Sequence, residues 1–257
     1  MDHLVTSAGL TSLLTFLLGL SVLLRDLKNK ISQIFTCYSW SIALWSFCFM
    51  QLHTIPEPWA VWYGRLLHLG CTFIPVLFFH FTVMLSGVYE HEKAKLIAAY
   101  AIALAYNLLN LFPGIFTREI VYRLGYAYPR PMGLVYFSYF LFFVTLVLYG
   151  LWKLRKTLPH LSKDEARGFH LIIVATSLGY LGGMNNFLIM IDVQLFPLFP
   201  FGLYLVVLYA VIASYAINKY HLLQLSVIVP PEASALTTSH ISQGSNQPLE
   251  IEPPVAQ

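Results

Sequence analysis

The sequence predicts an all-α membrane protein, folded as a bundle of seven transmembrane helices. Hydrophobic residues make up 58% of the 257 residues and charged residues only 11%, and the mean hydropathy is +0.67. One soluble core of this size cannot bury so much apolar surface, so lipid must cover part of it. Apolar residues also run continuously through the long segments, whereas strands of a membrane barrel alternate apolar with polar residues.

Seven apolar segments are long enough to cross a bilayer. A hydrocarbon core of about 30 Å requires roughly 20 helical residues. We therefore predict transmembrane helices near 4–24, 32–53, 61–86, 94–112, 132–152, 169–191 and 201–218. These helices form one membrane domain, residues 1–225. Residues 226–257 are rich in Pro, Ser, Thr and Gln, which predicts a disordered cytoplasmic tail.

The basic residues predict the orientation of the bundle, because Lys and Arg near helix ends are retained on the cytoplasmic side. If the seven segments cross alternately, eleven basic residues fall on the face where the first segment ends and four on the opposite face. The four are Arg65, Arg118, Arg123 and Arg130. We therefore expect the N-terminus outside and the C-terminus in the cytoplasm.

Two connecting loops are longer than the others. Residues 113–131 contain two short β-prone runs on either side of 123–125, a spacing that predicts a small hairpin over the outer mouth of the bundle. Residues 153–168 are predicted to extend the fifth helix into the cytoplasm and turn into the sixth. Ser162, three residues before Glu165, has the pattern of a helix start.

The positions of the acidic residues exclude several functions. All twelve lie in predicted loops, at helix boundaries or in the tail. Ion-coupled transport and intramembrane aspartyl proteolysis place ionisable groups inside the bilayer, so both lose support. No G-x-S-x-G motif indicates a nucleophile. We expect no catalytic residue, no cofactor and no enzymatic activity.

Polar residues inside the membrane concentrate in the third segment, which contains Arg65, His68, Pro75 and His80. At 100° per residue the arginine and both histidines share one helix face, which is predicted to point into the bundle because charged groups avoid lipid. Pro75 would free a carbonyl and kink the helix. This face is a candidate site for a ligand or signal. In the alternative, Arg65 reaches the outer interface and the histidines bond to nearby carbonyls.

Four amides extend this candidate site. Asn107, Asn110, Asn185 and Asn186 lie in apolar segments, where amides seek partners across helices, and they are expected to line the same cavity. Gly179 and Gly183 form a small-x-x-x-small pair that permits close helix packing. No His or Cys spacing indicates a metal site.

Several short motifs, taken in order, resemble the N-terminal seven-transmembrane region of bacterial sensor histidine kinases, a region that also precedes diguanylate cyclase domains. The resemblance covers about residues 4–225. It rests on Leu23-Leu24-Arg25 with Asn29, Ala43-Leu44-Trp45, Arg65-Leu66-Leu67-His68-Leu69-Gly70, Ile74-Pro75, His80-Phe81, Tyr215-Ala216-Ile217 and His221-Leu222-Leu223.

The resemblance implies a signal-input domain in the bacterial cytoplasmic membrane that passes a helix movement to a cytoplasmic output. In the family the seventh helix continues into a linker and a catalytic domain, whereas here Val229-Pro230-Pro231 is expected to end the helix. We therefore expect a sensor without its own output. Its expected partners are the lipid bilayer, an unknown small-molecule signal and a cytoplasmic kinase or other output protein supplied by another chain; a homodimer is left open, and no nucleic acid is expected.

A small-solute transporter or carrier is the alternative function. Internal repeats would favour it, but the first three and last three segments do not match convincingly.

Overall fold

A computed structural model describes residues 3–56, 59–191, 193 and 202–224. Seven long helices occupy these residues, which confirms the all-α class. Their bounds are α1 (His3–Arg25), α2 (Lys30–Gln51), α3 (Trp59–Leu85), α4 (Tyr89–Leu111), α5 (Gly133–Thr157), α6 (Lys163–Met190) and α7 (Gly202–Tyr220). A short 3-10 turn follows α5 at Leu158–His160 and another follows α7 at Leu222–Gln224. The predicted tail at 226–257 lies outside the described residues.

Six of these helices are long and apolar enough to cross a membrane, namely α1, α3, α4, α5, α6 and α7. The protein is therefore a multi-pass membrane protein by length and composition. The exception is α2, which spans 22 residues but carries several hydroxyl-bearing side chains. Two hydrogen bonds attach it to α1. The Thr36 hydroxyl lies 3.0 Å from the Gly19 carbonyl oxygen as well as 2.8 Å from the Ser32 carbonyl oxygen of its own helix, and the Ser12 hydroxyl of α1 donates to the Ala43 carbonyl at 3.0 Å.

Six helices form a closed ring in the order α1, α2, α3, α5, α6 and α7, in which α7 returns to α1. The remaining helix, α4, packs mainly on the outer side of α3. The ring encloses an aromatic core in which Tyr38 of α2 contacts Phe78 of α3 and Tyr209 of α7. The core thus joins helices that are distant in sequence.

The predicted hairpin is confirmed. Strand β1 (Thr117–Arg123) pairs antiparallel with β2 (Tyr126–Pro131). The two turn residues, Leu124 and Gly125, both have positive φ, at 52° and 82°. A type I′ turn, which is common in two-residue hairpin loops, requires positive φ at both positions. The hairpin packs on α3 and α6 through buried residues, including Tyr128. It therefore covers one end of the bundle, called here the hairpin end.

The connection between α5 and α6 also has the predicted form. Helix α5 continues to Thr157, beyond the apolar segment, and α6 begins at Lys163. Ser162 caps α6: its side chain accepts from the Glu165 amide, and the Glu165 carboxylate accepts from the Ser162 amide. This reciprocal cap satisfies two backbone N–H groups that the helix start would leave without partners.

Candidate functional site

His68 is buried in the bundle, with 1% of its surface exposed. Its Nδ1 lies 2.8 Å from the Gly64 carbonyl oxygen and its Nε2 lies 3.2 Å from the Tyr136 hydroxyl. A carbonyl oxygen can only accept, so Nδ1 carries the proton and, in the neutral ring, Nε2 accepts from Tyr136. The imidazole therefore links α3 to α5.

Tyr136 has a second acceptor for its single hydroxyl proton. The Met190 sulfur of α6 lies 3.4 Å from the Tyr136 oxygen. A sulfur atom is a weaker acceptor than a neutral imidazole nitrogen, so the bond to His68 is the stronger of the two. His68 belongs to α3 and Met190 to α6. A shift of α6 relative to α5 would therefore change which of the two accepts the Tyr136 hydroxyl proton.

The same tyrosine lines a cleft between α5 and α6 at the hairpin end. The cleft has a volume of about 200 Å³. Aromatic and aliphatic side chains form most of its wall, and the lining residues are Pro131, Gly133, Tyr136, Phe137, Phe140, Phe187 and Ile191. Such a wall suits a small, mostly apolar molecule that would lie against the Tyr136 side chain.

A second, internal cavity is smaller. It has a volume of about 40 Å³ and lies among α2, α3, α5, α6 and α7, with Tyr38, Tyr180 and Tyr209 in its wall. The Tyr38 and Tyr180 hydroxyls are 3.4 Å apart. This volume holds a few atoms at most. The cavity is therefore a less suitable ligand site than the cleft, although it gives the surrounding helices room to repack.

The expectation that Arg65 and the two histidines point together into the bundle is wrong. The Arg65 guanidinium lies 4.9 Å from the ring centre of Trp62, which is 60% exposed. This position agrees with the alternative in which Arg65 reaches the interface, because a guanidinium is stabilised by an aromatic face and by water outside the hydrocarbon. His68 alone of the three is fully buried.

His80 and Pro75 lie away from the cleft. The Nδ1 of His80 is 3.0 Å from the Tyr100 hydroxyl, and its ring stacks on Tyr89, so it belongs to the contact between α3 and α4. Pro75 is buried, and α3 continues through it to Leu85. Since proline has no N–H, the carbonyl four residues earlier loses its helical partner. Neither residue contributes to the Tyr136–His68 pair.

The four amides do not line one cavity, so that expectation is also wrong. Asn107 bonds within its own helix, to the Ala103 carbonyl at 3.0 Å. Asn110 crosses to the Arg65 carbonyl of α3 at 2.9 Å. Asn186 accepts from the Tyr128 hydroxyl of the hairpin at 3.4 Å. Asn185 is buried close to Gly202 at the start of α7.

Tyr128 fastens the hairpin to α6 through its bond to Asn186. The side chain is fully buried, and this burial raises the pKa of the Tyr128 hydroxyl well above its ordinary value near 10. The hydroxyl therefore keeps its proton across the physiological range and remains a donor. This bond attaches the hairpin to α6, while Asn110 of α4 bonds to α3 near the same end.

Two important groups are not apparent from the sequence alone. Tyr136 is one of many aromatic residues in α5, and only its contact with His68 distinguishes it. Glu92 lies in the first turn of α4, a position that predicts a solvated end, yet it is buried between Lys95 and Lys153. The sequence does contain one signal for this cluster: Tyr149 and Lys153 are four residues apart and therefore lie on the same face of α5.

Searches against protein-family models, curated proteins and solved structures gave no match for this chain. Among residues 3–56, 59–191, 193 and 202–224, no group of three His, Cys, Asp or Glu side chains is placed to hold a metal ion.

Proposed function

We propose that this chain is a membrane-embedded signal-input domain of bacterial signal transduction, related to the N-terminal seven-transmembrane region of sensor histidine kinases. A small, mostly apolar ligand occupies the cleft between α5 and α6, and α7 reports its presence to the cytoplasm. The domain works without catalysis of its own and acts on a kinase or other output protein in the bacterial cytoplasmic membrane. The motif resemblance supports the role as a signal-input domain, and the geometry of the cleft supports the position of the ligand.

One observation carries the proposal: Tyr136 belongs both to the cleft wall and to a hydrogen bond with His68. A ligand in the cleft would touch Tyr136 and Phe187, and so would act on α5 and α6 together. Binding of the ligand would then change whether the Tyr136 hydroxyl donates to His68 or to Met190. A ligand shifts a protein between two states only if it binds them differently, and this pair of acceptors supplies two such states.

Helix α6 can carry the change to the other end of the bundle. Its 28 residues give it a length of about 42 Å at 1.5 Å per residue. Phe187 lines the cleft near one end, whereas Gly168 near the other end packs on Leu222, just after α7. Five residues before Phe187, Gly182 of α6 contacts the backbone of α7 at Gly202, the first residue of α7. A shift of α6 would therefore move both ends of α7.

The end of α7 is also held by the turn between α1 and α2. Asn29 caps α2 by accepting from the amides of Ile31 and Ser32, and its side-chain amide donates to the Leu223 carbonyl at 2.7 Å. His221 has φ 50°, so the chain turns sharply where it leaves α7. This segment, residues 221–223, is called the exit. The bond between Asn29 and the exit supports the proposal, because it connects two of the motifs that resemble the kinase family: Asn29 itself and His221-Leu222-Leu223.

We further propose that α2 crosses the membrane, which gives seven crossings with the N-terminus outside. Helix α2 lies between α1 and α3 in the ring and has 12 buried residues among its 22. A helix shielded by neighbours needs less apolar surface than one facing lipid. The excess of basic residues at the end opposite the hairpin supports a cytoplasmic location for that end.

Orientation can be measured with single cysteines in a chain whose Cys37, Cys48 and Cys71 are replaced by alanine. Tyr122→Cys on the hairpin should react with a membrane-impermeant maleimide in intact cells, since Tyr122 is 67% exposed. His160→Cys, exposed between α5 and α6, should react only after permeabilisation. The reverse pattern, or reaction of both in intact cells, would contradict the orientation.

Coupling between the cleft and the exit can be measured by amide hydrogen exchange of the purified protein in nanodiscs. Ile191→Trp places a larger side chain at the cleft wall, and we expect faster exchange at the end of α7 because the contact between Gly168 and Leu222 loosens. Leu134→Trp is the matched control. Leu134 lies at the start of α5, at the same end of the bundle as the cleft, but it is 85% exposed and is outside the cleft lining. Equal exchange at the end of α7 in both variants and the unsubstituted protein would contradict the proposed coupling.

A further inference from the structure

A cluster of charged and aromatic side chains joins the start of α4 to the end of α5. The carboxylate of Glu92 is buried and receives three donors: Lys153, Lys95 at 2.9 Å, and the Tyr149 hydroxyl at 3.0 and 3.1 Å from its two oxygens. Tyr149 stacks on Trp152, with ring centres 5.5 Å apart. The cluster lies at the end of the bundle opposite the hairpin.

The lysines of this cluster outnumber its carboxylates. The ammonium of Lys153 lies 5.1 Å from the Trp152 ring centre, and that of Lys156 lies 5.4 Å from the same centre. Lys156 forms no ion pair within the part of the chain that the structure describes. With Lys95, Lys153 and Lys156 against Glu92 alone, two positive charges are in excess.

The lysines also keep unused hydrogen-bond donors. An ammonium group has three N–H donors. Lys95 uses two, for Glu92 and the Tyr149 hydroxyl, and Lys153 uses one, for Glu92. The ammonium groups of Lys95 and Lys153 each lie 5.2 Å from the Tyr149 ring centre, and those of Lys153 and Lys156 lie against Trp152, so all three border the same aromatic pair. An incoming anion would therefore find several ammonium groups already positioned by Glu92 and Trp152.

The position of Trp152 indicates which anion is available. Trp152 is 49% exposed on the outer surface of α5, and tryptophan in membrane helices is enriched at the level of the lipid headgroups. The abundant anions at this depth are lipid phosphates, and basic pockets between transmembrane helices bind anionic headgroups. The Lys95 side chain is 62% exposed and Lys156 is also exposed, so a lipid headgroup can reach the cluster.

We propose that Lys95, Lys153, Lys156 and Trp152 form a binding site for the phosphate of an anionic phospholipid. Glu92 positions two of the three ammonium groups, and Trp152 lies against the headgroup region. The site holds the start of α4 to the end of α5, and it is independent of the proposed function as a signal-input domain.

The test is native mass spectrometry of the delipidated, purified protein titrated with phosphatidylglycerol or phosphatidylcholine. We expect the unsubstituted protein to prefer phosphatidylglycerol, and the Lys95→Gln/Lys156→Gln variant to lose about fivefold of that preference for each lysine. Lys28→Gln/Lys30→Gln is the matched control, because it removes the same charge from exposed positions at the same end. Both Lys95 and Lys153 pair with Glu92, but the Lys153 side chain is only 15% exposed against 62% for Lys95, so Lys153 is kept to preserve the buried part of the pairing.

Three outcomes would overturn the site. Equal losses in both double variants would mean that general surface charge attracts the lipid. An unchanged preference in Lys95→Gln/Lys156→Gln would mean that these lysines do not bind it. If inorganic phosphate at the same concentration binds with the same dependence on the two lysines, the site takes a free phosphate ion and the assignment to a lipid is wrong. Thermal unfolding of each variant identifies any loss caused by misfolding.

Discussion

Replacement of Gly182 by alanine is expected to produce the largest loss of stability of any single methyl addition at the contact between α6 and α7. A Cβ at this position would overlap the Gly202 carbonyl oxygen and lie 2.9 Å from the Leu205 Cβ. Backbone atoms of a packed helix cannot move away without separating the helices. Overpacking costs about 1–3 kcal/mol and sometimes more, which exceeds the roughly 1 kcal/mol that alanine gains over glycine inside a helix.

Gly183→Ala is the matched control for that prediction. Among the residues that the structure describes, a Cβ at Gly183 would meet only Trp45, at 3.9 Å, an ordinary contact. The same gain in helix propensity should therefore leave Gly183→Ala as stable as the unsubstituted protein, or slightly more stable. Thermal unfolding in detergent, followed by tryptophan fluorescence, measures both variants. Similar unfolding temperatures for Gly182→Ala and Gly183→Ala would show that α6 and α7 do not cross at Gly182.

Replacement of Glu92 by alanine is expected to be the second most damaging change. The carboxylate is buried and paired with Lys153, whose side chain is only 15% exposed. Removal of one partner from a buried pair leaves the other charge without compensation, which costs about 3–5 kcal/mol in proteins. Since Lys153 can extend toward the interface, we expect about 2–3 kcal/mol here, measured as the loss in free energy of unfolding.

Glu90→Ala separates this pairing from the general effect of an acid near a helix start. Glu90 lies in the same first turn of α4 but is exposed. Its loss should cost about 0.3–1 kcal/mol through the helix dipole alone. Reversible unfolding in mixed micelles, with increasing denaturing detergent, gives both values. Equal losses for Glu90→Ala and Glu92→Ala would contradict a stabilising role for the ion pair.

The helices and the hairpin were predictable because local sequence determines them. Continuous apolar runs predict the helices, and the predicted and observed bounds of α1 and α7 agree closely. Helix α4 begins at Tyr89, five residues before its predicted start at 94, because its first turn is polar. That turn is helical because Glu92 finds partners on α5, a tertiary contact that hydropathy alone does not reveal.

The candidate site was predictable only in part. A histidine inside an apolar segment indicates a buried polar contact, and His68 makes one. Arg65 and His80 fit the same helical spacing, but spacing does not determine which neighbour covers each position. The close helix contact was assigned to Gly179 and Gly183. Gly179 does pack closely on α7, since a Cβ there would lie 3.0 Å from the Tyr209 Cβ, but Gly183 faces Trp45 and Gly182 meets the backbone of α7. The rotation of α6 decides between them, and packing of the whole ring sets that rotation.

The most direct test of the central claim, that the cleft between α5 and α6 controls the exit of α7, is a distance measurement. Spin labels at Lys28→Cys and Lys219→Cys, in a chain without Cys37, Cys48 and Cys71, would report the separation between the α1–α2 turn and the end of α7. With Ile191→Trp in the cleft we expect this distance to change by about 1–2 Å, as helix shifts in switching proteins do. Leu134→Trp should leave it unchanged. An identical distance distribution in both variants and in the unsubstituted protein would contradict the account.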